Sequence, residues 1–258
     1  MNMILDEIKE EYVKDLLRGN KRPDGRDLLQ YREIRIEKGL LKNAEGSCLA
    51  QIGDTKVLAG VKFDILEPYR DRPTEGVFQV TAEFMTAAHP AFNPGPPDER
   101  SIELARVVDR GIRSADAIDT KKLFIQEKKA YGIFVDLYIM DHSGNLIDTA
   151  ALAAMGALTD CKIPKYENEQ LIRTENIGKL PLARNVSVCS FEKISGKTIL
   201  DATDEEETAS DGRLSLATCD GDFICAAQKS GPAAFTKEEF STLMDIAIEK
   251  GRELRKYM

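Results

Sequence analysis

The chain has 258 residues and carries 36 basic and 44 acidic side chains, which give it a formal net charge of −8 at pH 7. Hydrophobic residues make up 42% of the chain and charged residues 31%, a composition that excludes intrinsic disorder and indicates a folded globular protein. A protein that coats nucleic acid with its whole surface is usually basic. Any nucleic-acid contact made by this acidic chain must therefore be local.

The five cysteines form no Cys-x-x-Cys pair and match no zinc-site spacing, so we expect reduced and mostly buried thiols. The N-terminal segment has acidic residues where a signal peptide needs an apolar stretch. No run approaches the ~18 apolar residues of a membrane span. These features predict a cytoplasmic protein.

The first third of the chain predicts a helix followed by paired strands. Residues 4–18 form an amphipathic pattern that ends at Gly19, with an expected apolar face of Ile4, Leu5, Ile8, Tyr12 and Leu16. Alternating residues predict a strand over 32–41, a hairpin over 44–65 that turns at "GD", and another strand over 76–85.

A proline-rich loop, residues 87–97, leads into a predicted helix over 102–119. Arg106, Arg110 and Arg113 recur at spacings of four and three, so their side chains fall within a wedge of about 60°, opposite Leu104 and Val108. One interpretation is a solvated face on which Asp109 pairs with Arg106 and Arg113. The other is a phosphate-binding surface, because the guanidinium fork matches phosphate oxygens.

The rest of the chain predicts a mixed α+β arrangement. Residues 131–144 are apolar on both faces and indicate a central strand; a buried helix follows and is expected to stop at Pro164. Residues 165–183 are expected to form a loop or a sheet edge. Hairpins are predicted around "SGK" and "DGD", and a last helix begins at the N-cap Thr236 with Glu239 as its capping-box partner.

An acidic segment between the last two hairpins leaves two interpretations open. Six carboxylates in eleven residues could bind a divalent cation or act in acid–base chemistry, or they could form a solvated loop: Asp201, Asp204, Glu205, Glu206, Glu207 and Asp211. His89 and His142 have no recognisable carboxylate or thiolate partner in the sequence. We interpret them as loop residues and predict no metal site.

The segment "RPDGRDLLQYREIRIEKGLLKNAEGSCLAQIGDTKVLAGV" resembles the opening of RNase PH-like proteins. "IELARVVDRGIRSADAID" and "GNLIDTAALAAMGALTDCKIP" are similar to that family's helix before its central strands and to its phosphate loop with the buried helix. The resemblance implies the α+β RNase PH fold (ribosomal protein S5 domain 2-like), with two related βαβα halves, mixed sheets and covering helices. The expected division is an N-terminal helix, 1–20, a first domain, 21–165, and a second domain, 166–258.

Active members of that family degrade RNA from its 3′ end with inorganic phosphate, and their phosphate loop resembles Gly-Gly-Ser/Thr-Arg. This chain places Gly144 and Asn145 at the glycine pair, Leu146 at the hydroxyl residue and Ile147 at the arginine. An apolar residue at that position penalises a bare anion. The resemblance therefore implies a chain that keeps carboxylates and loses the anion pocket, with no catalytic residue and no cofactor.

That pattern is similar to the inactive RNase PH-like subunits of archaeal exosomes, three of which alternate with three active ones in a ring. The resemblance implies a non-catalytic subunit in a trimer of heterodimers with the catalytic RNase PH-like subunit, bound to single-stranded RNA and to S1/KH-domain cap proteins. Arg106 and Arg110 match the positions that contact RNA phosphates, and Arg113 matches less closely.

Two alternatives remain open from the sequence. The chain could be an independently active phosphorolytic 3′–5′ exoribonuclease that uses Asp211 and an arginine aligned elsewhere. It could also be a scaffold whose arginine ridge pairs with the acidic residues of a neighbouring subunit.

Overall fold

The computed structural model describes the backbone of residues 3–258 and the side chains from residue 7 onwards. The helices are α1 (Met3–Arg18), α2 (Glu99–Ser114), α3 (Leu146–Asp160), α4 (Asp204–Thr208) and α5 (Lys237–Arg255), with a short 3-10 helix at Thr120–Leu123. The strands are β1 (Ile34–Lys38), β2 (Gly46–Ile52), β3 (Thr55–Leu66), β4 (Val77–Phe84), β5 (Phe124–Gln126), β6 (Lys129–Asp141), β7 (Lys162–Glu167), β8 (Gln170–Lys179), β9 (Val186–Ile194), β10 (Lys197–Leu200), β11 (Gly212–Cys219) and β12 (Phe223–Ser230).

The first half is built on a mixed sheet with the strand order β1-β2-β3-β6-β4, with β5 paired to β6. Only the β4–β6 pair in this sheet is parallel. The predicted central position of β6 is confirmed, because β3 and β4 pair with it on either side. The hairpin β2–β3 turns at Gly53 and Asp54, as its sequence predicts.

The second half is a four-stranded antiparallel sheet with the order β10-β9-β11-β12. Helices α2 and α3 contact strands of both sheets and therefore lie between them, and α5 covers the second sheet. This position explains the composition of α3, which is apolar nearly all round because it is packed on several sides. The layers are thus sheet, helices, sheet and helix, and the predicted α+β fold class is confirmed.

Close approach between α3 and the first sheet depends on a glycine in β2. A Cβ atom at Gly46 would lie 2.4 Å from the backbone oxygen of Ala157, so no larger residue fits there without a backbone shift. The tight packing brings the start of α3 to the boundary with the second half, where the candidate site described below lies.

Helix α1 contacts the body through a face that the sequence pattern did not identify. Val13 and Leu17 are buried against a cluster of the second half, whereas Ile8 and Tyr12 are 59% and 58% exposed. The expected apolar face is therefore wrong for these two residues, and the side chains of Ile4 and Leu5 lie outside the described residues. Apolar residues occur on two overlapping faces of this helix, and tertiary packing selects one of them.

Two boundaries also differ from the prediction. Helix α3 ends at Asp160, before Pro164, because Cys161 is already extended; Pro164 lies inside β7. The stretch expected to be a loop or an edge, 165–183, begins inside β7 and forms the two-stranded hairpin β7–β8.

All five cysteines are free and four of them are buried, as the sequence predicts. Among the described helices, none combines the length and the apolar character that a membrane crossing requires.

Candidate nucleic-acid interface and phosphate-loop region

Helix α2 presents the three arginines to an open groove of about 410 Å³. The helix spans Glu99–Ser114 and not the predicted 102–119. The Asp98 side chain accepts a hydrogen bond from Ser101 N at 3.0 Å and caps the N-terminus, and the helix ends before Ala115. The structure brings Arg106, Arg110 and Arg113 together along one wall of this groove. The predicted ridge is therefore present as a continuous basic surface.

The three arginines differ in how many of their guanidinium donors are already used in hydrogen bonds within the protein. Arg113 donates to both oxygens of Asp109, at 2.8 and 3.0 Å, and to the backbone oxygen of Phe78 at 2.8 Å. These hydrogen bonds raise the pKa of Arg113 and fix its side chain. Of the two ion pairs considered for Asp109, the pair with Arg113 forms and the pair with Arg106 does not.

Arg106 and Arg110 retain most of their donors for an external ligand. Arg110 makes one hydrogen bond, to Gln228 Oε1 at 3.0 Å. No side chain from residue 7 onwards forms an ion pair or a hydrogen bond with Arg106. Both guanidinium groups are on exposed residues, so a phosphate would cost little desolvation to reach them.

Tyr69 lines the same groove and was missed by sequence reasoning. It lies in the loop between β3 and β4 and is 53% exposed. An exposed tyrosine beside arginines offers a flat surface on which a nucleobase can stack. The signal in the sequence is the loop segment "PYRDR", which combines an aromatic residue with two basic ones.

The loop that resembles the family's phosphate site connects β6 to α3. Two side chains of the first half donate hydrogen bonds to its backbone. Thr55 Oγ1 donates to Gly144 O at 2.6 Å, and Arg32 donates to Ser143 O at 2.7 Å. Gly144 has φ +88°, and a Cβ there would lie 2.4 Å from Ala202 O in the second half. The loop therefore packs its backbone directly on the segment that enters α4, and only glycine fits.

A carboxylate of the chain itself accepts a hydrogen bond from the backbone at the end of this loop. Asn145 precedes the first turn of α3, and its backbone N–H donates to Glu207 Oε1 at 2.7 Å. A helix N-terminus favours negative charge, which here comes from Glu207 on α4. Ile147 is 4% exposed and points into the core, where it cannot bind an anion.

A cavity of about 140 Å³ remains between this loop and α2. Two arginines and two glutamates line it: Arg100, Arg213, Glu103 and Glu207. Its remaining walls include the apolar side chains of Phe84, Phe92, Leu146 and Ile147. Because the charges balance, the cavity provides no net positive potential to attract inorganic phosphate.

The acidic segment is mostly structural rather than a solvated loop. Asp201 is fully buried and accepts hydrogen bonds from Arg26, Arg32 and Asn145. Although burial opposes its ionisation, the hydrogen bonds and charge of Arg32 hold the pKa of Asp201 below its usual value. Glu206 forms a buried ion pair with Arg22.

Asp211, the carboxylate considered for catalysis, has a local structural contact. Its Oδ2 accepts a hydrogen bond from Ser195 N at 2.8 Å and so fixes the turn between β9 and β10. The carboxylates next to the phosphate-loop region are those of Asp204 and Glu207 instead.

The two histidines lie in loops, as predicted, but they do have a carboxylate partner. The Nε2 atoms of His89 and His142 lie 3.4 and 3.6 Å from the two oxygens of Asp204. Burial lowers the pKa of His142 and keeps its imidazole neutral. The expectation that neither histidine has a carboxylate at hand is therefore wrong.

Glu192, on β9 beside this region, makes the stability of the fold depend on pH. It is 4% exposed, and burial raises its pKa to about 7, although Arg213 lies 3.8 Å away. A folded state that binds a proton more tightly than the unfolded state loses stability as the pH rises, here from about 4.5 to 7.

Replacing Glu192 by Gln should therefore remove part of this loss. The measurement is the free energy of unfolding in urea. As the pH rises from 5 to 8, the parent should lose on the order of 2 kcal/mol more of this free energy than the variant does. Glu33→Gln, at a side chain that is 69% exposed, is the matched control. If the free energy of unfolding of the parent and of Glu192→Gln depended on pH in the same way, the raised pKa of Glu192 in the folded state would be contradicted.

Two halves of sheet and helix, joined at a phosphate-type loop whose anion position holds a glutamate, define an RNase PH-type protein. The chain belongs to the 3′ exoribonuclease family: the family's domain 1 matches residues 30–164 and its domain 2 matches residues 185–250. The predicted family membership is thus confirmed.

Relatives and solved structures cover nearly the whole chain. The Exosome complex component Rrp42 of Methanothermobacter thermautotrophicus is 41% identical over 99% of this chain and 96% of its own length, and that of Archaeoglobus fulgidus is 43% identical over 98% and 96%. A chain of the Archaeoglobus fulgidus exosome with RNA bound to the active site has a TM-score of 0.92 at 41% identity, covering 98% of both chains. Rice Rrp46, with a TM-score of 0.68 at 19% identity over 92% and 97% of the two chains, supports the fold alone.

Proposed function

We propose that this chain is a non-catalytic subunit of an archaeal RNA exosome. The observation that carries the proposal is the contact between Glu207 Oε1 and Asn145 N, which fills the anion position of the loop. A phosphorolytic site must hold inorganic phosphate, and here the Asn145 N–H that could bind it already donates to Glu207 Oε1, 2.7 Å away. The similarity to exosome components over the whole chain supports membership in such a complex.

In this proposal the chain binds single-stranded RNA and structures the active site of a catalytic RNase PH-like subunit, with which it forms a hexameric ring of three heterodimers. Arg106 and Arg110 contact RNA phosphates, Arg113 contributes less, and Tyr69 stacks on a base. S1/KH-domain proteins cap the ring, and the complex acts in the cytoplasm. The division into residues 1–20, 21–165 and 166–258 stays a prediction.

The isolated chain should release no nucleoside diphosphates from RNA in the presence of phosphate. The physical reason is the filled anion position and the apolar Leu146 and Ile147 beside it. Asp211→Asn keeps the acceptor for Ser195 N and should leave the activity of the assembled complex nearly unchanged. The measurement is phosphate-dependent product release by the chain alone and by the complex.

The matched control is replacement of the catalytic aspartate of the active subunit, which should abolish product release. Robust trimming by the isolated chain, or an equally severe loss in Asp211→Asn, would instead support the alternative, an independent phosphorolytic 3′–5′ exoribonuclease.

The chain should also form a ring with an active homologue when the two are mixed in equal amounts. The sheets end in open edges, for example β10 and β12 of the second sheet, and pairing or covering such edges avoids aggregation. Sedimentation velocity should show a species of the mass of three heterodimers. A stable monomer as the sole species of this chain in the mixture would refute the assembly.

A further inference from the structure

We propose that His89, His142, Asp204 and Glu207 form a binding site for a divalent transition metal such as Zn²⁺. The four residues come from three separate segments: the proline-rich loop, the end of β6, and α4 of the second half. One ligand atom each from His142, Asp204 and Glu207 lies within 4.8 Å of the other two. The fourth, His89 Nε2, lies 3.4 Å from Asp204 Oδ2.

The spacing of the donor atoms fits a small cation. Metal–ligand bonds of about 2.1 Å in a tetrahedron place neighbouring donors about 3.4 Å apart. His89 Nε2 lies 3.4 Å from Asp204 Oδ2 and His142 Nε2 lies 3.6 Å from Asp204 Oδ1, so the two imidazoles face the two oxygens of one carboxylate at close to this spacing. Glu207 offers a carboxylate oxygen within 4.8 Å of the ligand atoms of His142 and Asp204, and its side chain, which has three rotatable bonds, must move closer to join the same sphere.

The donor types select the class of metal. Two imidazoles with two carboxylates suit Zn²⁺ and neighbouring first-row ions, whereas Mg²⁺ and Ca²⁺ prefer oxygen ligands alone. The two carboxylates supply two negative charges. Arg213, 4.0 Å from Glu207, opposes a cation in part, so the net local charge still favours binding.

The surroundings hold the imidazoles in place. The ring of Phe92 stacks on His142 with an interplanar angle of 11°, and the guanidinium of Arg100 lies over the same Phe92 ring, 5.2 Å from its centroid. Aromatic packing of this kind orients ligands before the metal binds and lowers the entropy cost of binding. Both histidines are thereby aimed at the same carboxylate.

Binding must displace a competing hydrogen-bonded arrangement. The Nδ1 atoms of His89 and His142 accept hydrogen bonds from Ala91 N and Gly144 N at 3.2 and 3.3 Å, which leaves Nε2–H to donate towards Asp204. Metal ligation at Nε2 requires the neutral tautomer that carries its proton on Nδ1, and this change breaks these two hydrogen bonds. Both are long for N–H donors, so the cost is small against four metal–ligand bonds.

A metal at this position would join the two halves of the chain. His89 and His142 belong to the first half, while Asp204 and Glu207 belong to α4 in the second. A ligand that binds only the folded state raises its stability by mass action. A hundredfold excess over the dissociation constant should therefore raise the melting temperature by roughly 5–10 °C.

The test uses the untagged full chain after chelator treatment, titrated with ZnCl₂, CoCl₂ and MgCl₂ in a calorimeter. We expect one Zn²⁺ per chain, weaker or no Mg²⁺ binding, and visible Co²⁺ absorption bands typical of tetrahedral nitrogen and oxygen ligands. His142→Gln and Asp204→Asn keep polar groups of similar size and should each weaken Zn²⁺ binding at least tenfold. The melting temperature of these metal-free variants should stay near that of the parent.

Cys225→Ser is the matched control, because Cys225 is the one cysteine that is not buried and thiolates also bind Zn²⁺. It should leave Zn²⁺ binding unchanged. Binding weaker than about 100 μM, or equal binding by parent, His142→Gln and Asp204→Asn, would overturn the proposal and leave a polar His–Asp–His contact without a metal. Because the readout is metal binding by the chain alone, the result is independent of the proposed exosome function.

Discussion

Replacing Arg106 and Arg110 together by alanine is expected to weaken RNA binding by the assembled complex about a hundredfold. Each side chain is exposed in the groove and holds free donors, and a hydrogen bond to a charged group contributes about 1.5–3 kcal/mol. A loss of about 1.4 kcal/mol per arginine corresponds to tenfold per contact. The measurement is the equilibrium dissociation constant of a single-stranded RNA at several salt concentrations.

The salt dependence distinguishes phosphate contacts from other effects. Each lost contact should reduce the slope of log K against log salt by roughly 0.7 for a single strand. The loss should be similar across RNA sequences, because phosphates carry no base identity. Arg113→Ala should have a smaller effect, since Asp109 and Phe78 O already occupy its donors. Lysine at 106 or 110 should rescue binding only in part, because a point charge does not reproduce a bidentate fork.

Arg252→Ala is the matched control. Arg252 is an exposed helical arginine on α5 that pairs with Asp222, so its removal changes net charge and helix propensity as much as either single variant, Arg106→Ala or Arg110→Ala, does. It should leave RNA binding nearly unchanged. If the double variant assembles and binds RNA like the parent at every salt concentration, the ridge is a solvated face without a role in RNA binding.

Local signals in the sequence predicted the features that depend on short spacings. The three arginines could be placed on one face because a helix repeats every 3.6 residues. The hairpins around "GD", "SGK" and "DGD" and the capping box of Thr236 and Glu239 are likewise local, and all are confirmed.

Contacts between distant segments could not be predicted from these signals. His89, His142 and Asp204 come together only because the two halves pack across α3, and no short motif contains them. Tyr69 enters the arginine groove from a loop of the first sheet. The buried face of α1 was missed for a related reason: amphipathicity identifies candidate faces, and the partner surface decides which face is buried.

Removing the carboxylate of Asp201, which forms buried ion pairs with two arginines, is expected to lower the free energy of unfolding more than any other substitution considered. Asp201 follows β10, is fully buried, and accepts hydrogen bonds from the Arg26 and Arg32 side chains and from Asn145 Nδ2. The arginines come from the chain that enters the first sheet, and Asn145 comes from the phosphate-type loop. This single carboxylate therefore links three segments across the two halves.

Asp201→Ala should destabilise the protein by about 3–5 kcal/mol, because it leaves the largely buried guanidinium of Arg32 without a carboxylate and removes one of the two carboxylates that pair with Arg26. That loss is a large part of the ~5–15 kcal/mol that stabilises a typical domain. Guanidinium chloride unfolding at pH 7 measures it. The low folded-state pKa of Asp201 means that its contribution persists above the unfolded value of about 3.9 and is lost as the pH falls below it.

Two further variants separate the effect of the Asp201 charge on stability from the effect of its backbone conformation and its burial. Asp201 has φ +53°, a conformation that asparagine tolerates better than alanine, so Asp201→Asn keeps the turn and one acceptor but removes the charge. Its cost should be intermediate. Asp222→Ala removes the partner of the exposed Arg252 and should cost at most about 1 kcal/mol. Equal costs for Asp201→Ala and Asp222→Ala would contradict the assignment of Asp201 as the buried link, because burial is the main physical difference between the two carboxylates.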